Sequence, residues 1–390
     1  MATAMDWFML VLLLACVCLT CAWRRYQHSQ SYQGAVSTTV QRLLKPRTPD
    51  DCPACQQHAT SPTIHAPARL PVRPWSEVKR HRGAPKRVST HGFACPTPTC
   101  AYYRITDAQV YALVGDGTHG QYERIQTFRC QACRTTFRAR RYTPLYRLKT
   151  STHRVSEVLT ALAEGLDTSA AVRVFGHRHR TITMWLTRAG EHNALVHHHW
   201  FHNLYLPHLQ SDEVRTRLRS RAHILWLWVV IDPITKIIPV LHLGSRTQDA
   251  AHRMVHELRQ RLAPDCLPVF TTDGLNHYFY ALTAHVGQWV ATTGRRGQQW
   301  QVAAGLIYGQ VKKTYRHRKV VRVSQVLRCG TWADLRAVLV RLGLSGRLNT
   351  ACIERVNLTI RQSVAALVRR TWSTAQAAPQ LLAHLEWWRG

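Results

Sequence analysis

Carboxylates are scarce in this sequence. Across 390 residues, 21 Asp and Glu face 52 Lys and Arg, a formal net charge of +31. The excess runs along the whole length and excludes a self-neutralising surface, because a chain this basic repels itself unless counter-charge is supplied. A polyanion is the expected partner, nucleic acid first, and no small-molecule substrate is expected. Heptad repeats are missing too, so nothing in the pattern specifies an oligomer. Positive charge is missing from MATAMD, ahead of the apolar run WFMLVLLLACVCLTCAW at 7–23. A signal peptide carries basic residues before its apolar core; here Arg24 and Arg25 follow it, which argues against export. The run belongs to an apolar N-terminal helix expected over 1–26 and is near the lower length limit for crossing a bilayer. As a membrane anchor it leaves the rest of the chain in the cytoplasm. As a buried helix it needs no membrane; on either reading the downstream thiols stay reduced.

With 45% apolar residues the chain can bury a core, and its length suits two or three domains. Its 12 cysteines fall into three groups. Cys16, Cys18 and Cys21 lie in the apolar run, Cys266, Cys329 and Cys352 are single, and the rest come in close pairs that suit metal knuckles. Residues 27–92, rich in Pro, Gln, Ser, Thr and basic residues, read as a basic linker that carries a lone CxxC, Cys52 and Cys55. Residues 93–145 hold Cys95-x4-Cys100 and Cys130-x2-Cys133, the second pair beside the alternating run RTTFRAR. Two knuckles around a strand-rich insert predict a zinc ribbon with one structural Zn²⁺.

Residues 150–195 predict a helix-turn-helix. Val155, Val158, Leu159 and Leu162 recur at helical spacing, Thr168 or Ser169 can cap a second helix, and Gly176 marks the next turn. The last helix opens with Arg178, His179, Arg180 and Thr181, where a recognition helix meets phosphates and base edges. After HHHWFH the pattern turns to strands. ILWLWVVI at 224–231 is a continuous apolar strand, DPITK a turn, and IIPVLHL a second strand whose Pro239 suggests an edge. A helix capped by Thr247, with Ala250, Ala251, Met254, Val255, Leu258 and Leu262 on its apolar stripe, leads to the strand LPVFTTDG and a helix over 277–287. This order predicts a mixed α/β layer fold over 203–390, so the chain is multidomain.

In so basic a chain the informative acids are those a fold would display. Asp212 in LQSDEV and Asp273 in the turn after VFTT can meet in the crevice outside a sheet, and Glu354 can face them from a helix. Clustered carboxylates repel unless cations neutralise them, and an all-oxygen donor set suits Mg²⁺ or Mn²⁺. Against this, an Asp in a TDG turn commonly forms the turn, and a Glu on a basic helix commonly pairs with Arg.

The ribbon, the helix-turn-helix, then SDEV, WLWVVIDPITK, GSRTQDA, FTTDG, YGQVKK, NTACIERVNLTIRQ and RRT at 369–371 resemble the IS-one type of insertion-sequence transposases over residues 95–390. The resemblance implies a ribonuclease H-like DDE catalytic domain in which Asp212, Asp273 and Glu354 bind metal, with Asp232 a rival for the first position. It implies metal-dependent cleavage at the inverted-repeat ends of double-stranded DNA and strand transfer to target DNA, by a homodimer or larger assembly in the cytoplasm at the nucleoid. Asn357, Arg361, Arg369 and Arg370 are implied DNA contacts, with Glu354, Asn357 and Arg361 on one helix face; Arg355 is off that face and suits a structural role equally. Two departures stand out. The interval from Asp273 to Glu354 is long and should hold an insertion or extra strands, and relatives continue past LEWWRG, which fits a truncated copy. The alternative is a catalytically inactive transposase-derived DNA-binding protein.

Overall fold

The computed structural model describes residues 72–78, 88–219, 223–291, 298–317, 319–369, 371 and 373–390. The apolar run at 7–23, the Cys52–Cys55 pair and Arg370 lie outside the described residues. No helix among the described residues is long and apolar enough to cross a membrane.

Strands β1 (Leu113–His119), β2 (Ile125–Cys130) and β3 (Thr136–Arg138) form an antiparallel sheet in that order. Cys95 and Cys100 precede it, Cys130 ends β2 and Cys133 lies in the turn before β3. Leu113, Phe128 and Phe137 pack with the buried cysteines in a small core of their own.

Three helices follow, α1 (Thr152–Ala163), α2 (Thr168–Phe175) and α3 (His179–Trp200). The predicted stripe Val155, Val158, Leu159 and Leu162 is buried against Ile182 and Trp185 of α3. The cap of α2 differs from expectation. Asp167, rather than Thr168 or Ser169, accepts from the backbone N–H groups of Ser169 and Ala170 at 2.7 and 3.0 Å. A carboxylate satisfies two orphan donors and also complements the positive helix end, an advantage no hydroxyl has. Gly176 ends α2 with φ at 72°, a conformation that favours glycine. Helix α3 runs on past residue 195, because the buried His197 packs its ring on Phe201 and prolongs the apolar face.

The rest of the chain builds a six-stranded mixed sheet, order β11-β10-β7-β4-β5-β6. Its strands are β4 (His208–Leu218), β5 (His223–Ile231), β6 (Val240–Gly244), β7 (Val269–Thr272), β10 (Ile307–Arg316) and β11 (Lys319–Cys329). The central trio β4, β7 and β10 is parallel; β5, β6 and β11 run antiparallel to their neighbours. From Leu227 to Ile231 both faces of β5 are covered, which is why this stretch is continuously apolar. Trp228 and Val230 pack against α4 (Gln248–Arg261) and α5 (Asn276–His285), while Leu227, Val229 and Ile231 pack against α7 (Ala351–Ser363) and α8 (Ala378–Arg389). Thr247 caps α4 as predicted, accepting from Ala250 N–H at 3.4 Å, and Pro239 precedes the edge strand β6. Between Asp273 and Glu354 the chain adds a two-stranded hairpin, β8 (Gly287–Ala291) with β9 (Gln298–Val302), then β10, β11 and α6 (Trp332–Arg341). The long interval thus holds extra strands.

The described residues pack as one unit. Helix α8 is the bridge, since it lies both on the sheet and along α3. Trp387 Nε1 donates to the Leu159 carbonyl at 2.8 Å, and His384 Nε2 contacts the Leu162 carbonyl at 3.0 Å. The two backbones meet at Gly190, where an added Cβ would stand 1.9 Å from the Ala383 carbonyl oxygen. Gly190→Ala should therefore force α8 off α3 and destabilise the protein by about 1–3 kcal/mol, read from a urea unfolding midpoint. An unchanged midpoint would show that the close approach is not required.

Candidate active site

The register of two parallel strands builds this site. Ser211 of β4 pairs with Thr272 of β7, so the next residues, Asp212 and Asp273, emerge side by side where β7 ends. Asp212, Glu213 and Asp273 offer carboxylate oxygens within 4.8 Å of one another. Alternation would send Glu213 to the opposite face from Asp212. It still reaches the group because no strand residue of β7 lies beyond Thr272 to separate the two faces.

Each acid is held differently. Asp212 accepts from the Glu213 backbone N–H at 2.9 Å and from Asn357 Nδ2 at 2.7 Å. Glu213, whose side chain is buried, accepts from Arg246 Nε at 2.7 Å and from the Tyr278 hydroxyl at 2.9 Å. Asp273 accepts from Leu275 N–H at 2.9 Å, which folds the turn into α5. Here the turn-forming role and the site role coincide.

Burial, and then the charges of Glu213, Asp273 and Glu354, push the Asp212 carboxyl up from 3.8 to about 7. Burial and the Asp273 charge also raise Glu213, against the pull of Arg246 and Tyr278. Both shifts reflect negative charge without enough compensation. A raised acid pKa means folding takes up a proton: the penalty is absent below pH 3.8, grows as pH rises and is fully present above about 7. In metal-free buffer Asp212→Asn should therefore raise stability near pH 7 and flatten its fall between pH 4 and 7, on the order of 1–3 kcal/mol. Urea midpoints across that range check it. A variant less stable than the parent at pH 7 would contradict the charge argument.

Helix α7 is docked by Gln210, a buried residue of β4 whose Oε1 accepts from Ile353 N–H at 3.0 Å. Glu354, Asn357 and Arg361 share the face toward Asp212. Asn357 bonds it directly, while Glu354 raises its proton affinity. Arg361 is held below its ordinary value by burial and by Arg369, with Asp212 opposing. The Glu354 carboxylate, however, stands outside the trio of acids and accepts from Lys313 and Thr350. Burial raises its pKa, but these two hydrogen bonds outweigh that and leave it lowered. Arg355 and Arg369 are exposed. Asp232 is elsewhere: buried in the β5–β6 turn, it accepts from the backbone N–H groups of Ile234 and Thr235 and from the Thr235 hydroxyl. It forms the turn and lies outside the group of Asp212, Glu213 and Asp273.

Arg178 and Arg180 are exposed and Thr181 half-buried at the start of α3. Cys95, Cys100, Cys130 and Cys133 are free thiols that converge, with Sγ–Sγ distances of 3.6 Å for Cys95–Cys133 and 3.8 Å for Cys100–Cys130. Hydrogen bonds from Thr135 and the neighbouring thiols outweigh burial at Cys133 and bring its thiol down to about 6, whereas burial raises Cys130. Either cluster, four sulfurs or three carboxylates, can hold a metal ion.

Glu213, Arg246, Tyr278, Lys313 and Gln210 were not singled out as site residues from the sequence. Only Glu213 carried a signal, its adjacency to Asp212 in SDEV; the other four are brought in by tertiary packing. No family model matches the chain, and no curated protein matches it in sequence.

Proposed function

We propose that this chain is a DDE-type transposase that binds the inverted-repeat ends of an insertion sequence and carries out metal-dependent DNA strand cleavage and transfer. The observation that carries it is the β4–β7 register, which sets Asp212 and Asp273 side by side with Glu354 one helix away. A mixed sheet with parallel β4, β7 and β10 flanked by antiparallel strands supports a ribonuclease H-like core. The net charge of +31 supports a DNA partner.

The donor set fits a hard cation. Three carboxylates lie within 4.8 Å, and Asn357 Oδ1 beside them is buried with no hydrogen-bond partner among the described residues. Asp212, Asp273 and Glu213 would hold Mg²⁺ or Mn²⁺, with Glu354 joining by releasing Lys313. When bound, such an ion activates the attacking oxygen and stabilises the leaving one at phosphorus. The protein's own part is to gather the acids, to orient Asp212 through Asn357, and to offer Arg361 and Arg369 to the phosphates. On this proposal the ribbon and the helix-turn-helix of α2 and α3 read the ends through Arg178, Arg180 and Thr181. Sulfur separations of 3.6 and 3.8 Å support zinc in the ribbon, since a tetrahedral ion with Zn–S bonds near 2.3 Å spaces its sulfurs by about 3.8 Å.

One observation favours the second reading, a DNA-binding protein without catalysis: Glu354 is paired with Lys313 rather than turned toward the other acids. Purified protein incubated with DNA carrying the inverted repeats that flank the coding region decides between them. Nicks at the repeat ends in Mg²⁺ or Mn²⁺ support the transposase; a gel shift without nicks in either metal supports the binder.

A further inference from the structure

Away from the acids, the outer surface of the α4–α5 layer carries three imidazoles that neither cluster uses. His252 and His256 are one turn apart on α4, and His285 is the last residue of α5. Residues four apart on a helix present side chains on one face, the spacing that lets two imidazoles chelate one ion. His285 approaches them from the neighbouring helix, its ring centre 5.4 Å from that of His252 and 5.6 Å from that of His256.

The nitrogen geometry is specific. His252 Nδ1 and His285 Nε2 are 3.4 Å apart. That is long for a good hydrogen bond, but a tetrahedral ion with Zn–N bonds of about 2.0–2.1 Å spaces its nitrogens by about 3.3–3.4 Å. His256 is exposed and its Nε2 meets Gln260 Nε2 at 3.0 Å, so Gln260 donates and the imidazole nitrogen is an acceptor, the form a metal needs. To serve as a third ligand its ring would have to leave Gln260 and turn toward the other two. Among the described residues, none of the three histidines makes an ion pair that would compete.

We propose that His252, His256 and His285 form a site for a divalent ion of the imidazole-preferring class (Zn²⁺, Ni²⁺, Co²⁺ or Cu²⁺), clamping α4 to α5. An N-only donor set separates it from the thiolate and carboxylate clusters in metal preference. The clamp acts on the helix that begins three residues after Asp273, so it would stiffen the support of the acidic site without contributing an atom to it. This inference is independent of the transposase proposal.

The test is calorimetric titration of the full chain with Ni²⁺. Relative to the parent, His252→Ala, His285→Ala and His256→Ala should each lose one bound equivalent or weaken it at least about tenfold. His153→Ala, on the exposed surface of α1, should titrate like the parent. Paramagnetic Ni²⁺ should also broaden the ring resonances of the three histidines together at the lowest occupancy. Because His256 is exposed, His256→Ala keeps the test valid if either half-buried variant fails to fold. Parent-like Ni²⁺ stoichiometry and affinity in His256→Ala, with no shared broadening, would overturn the site.

Discussion

Asp273→Ala should abolish strand cleavage while leaving DNA binding intact. Asp273 stands at the C-terminal end of β7, within 4.8 Å of Asp212 and Glu213, and its loss removes one of the three acids that would hold the cation. A bound ion supplies several kcal/mol of charge stabilisation to phosphoryl transfer, so losing a ligand should lower the cleavage rate by about 10³-fold or more. Asp212→Ala should do the same, since it removes the acid that Asn357 orients. The basic groups that would hold DNA, Arg178, Arg180, Arg361 and Arg369, are untouched, so mobility shifts of inverted-repeat DNA should match the parent. The turn itself survives in Asp273→Asn, which keeps an acceptor for Leu275 N–H. That variant separates lost chemistry from lost folding. Near-normal cleavage by Asp273→Ala would sink the transposase proposal.

The second large effect is expected at the ribbon. If the four thiols hold zinc as proposed, Cys130→Ser should release it and melt β1–β3, seen as loss of one zinc equivalent and of amide-exchange protection across 93–145. This sheet has short strands and a small core, so an ion held by the four thiols would be the main source of its stability. Structural zinc contributes about 10–16 kcal/mol in small domains of this kind, far more than any one side chain there. A strong chelator should mimic the substitution. The six-stranded sheet has its own cores and should keep its protection. Unchanged metal content and exchange in Cys130→Ser would show that the four thiols are ordinary core residues.

Much of this architecture was legible because its signals are local. The helix stripe at Val155, Val158, Leu159 and Leu162, the Thr247 cap, the apolar strand at 224–231 and the close cysteine pairs all follow from spacing within a few residues. Local rules give way where they have competitors: Asp167 displaces Thr168 and Ser169 as a cap, and α3 continues through His197 because tertiary packing buries that residue. Strand β4 was not recognised. Its sequence, HLQSDEVRTRL, mixes charge with apolar residues, and only pairing with β5 and β7 makes it a strand.

By itself the sequence determined the excess of positive charge, the knuckle spacing and the identity of three acids worth testing, since charge, cysteine spacing and turn chemistry are properties of the chain alone. Only tertiary structure decided which carboxylates meet. Asp212 and Asp273 are 61 positions apart, and the parallel register that joins them depends on hydrogen bonds between strands that no short segment encodes. The same packing admitted Glu213 past the end of β7, gave Glu354 to Lys313, and consigned Asp232 to a turn. Distances between side chains are set by the fold, and the chemistry of an acid depends on those distances.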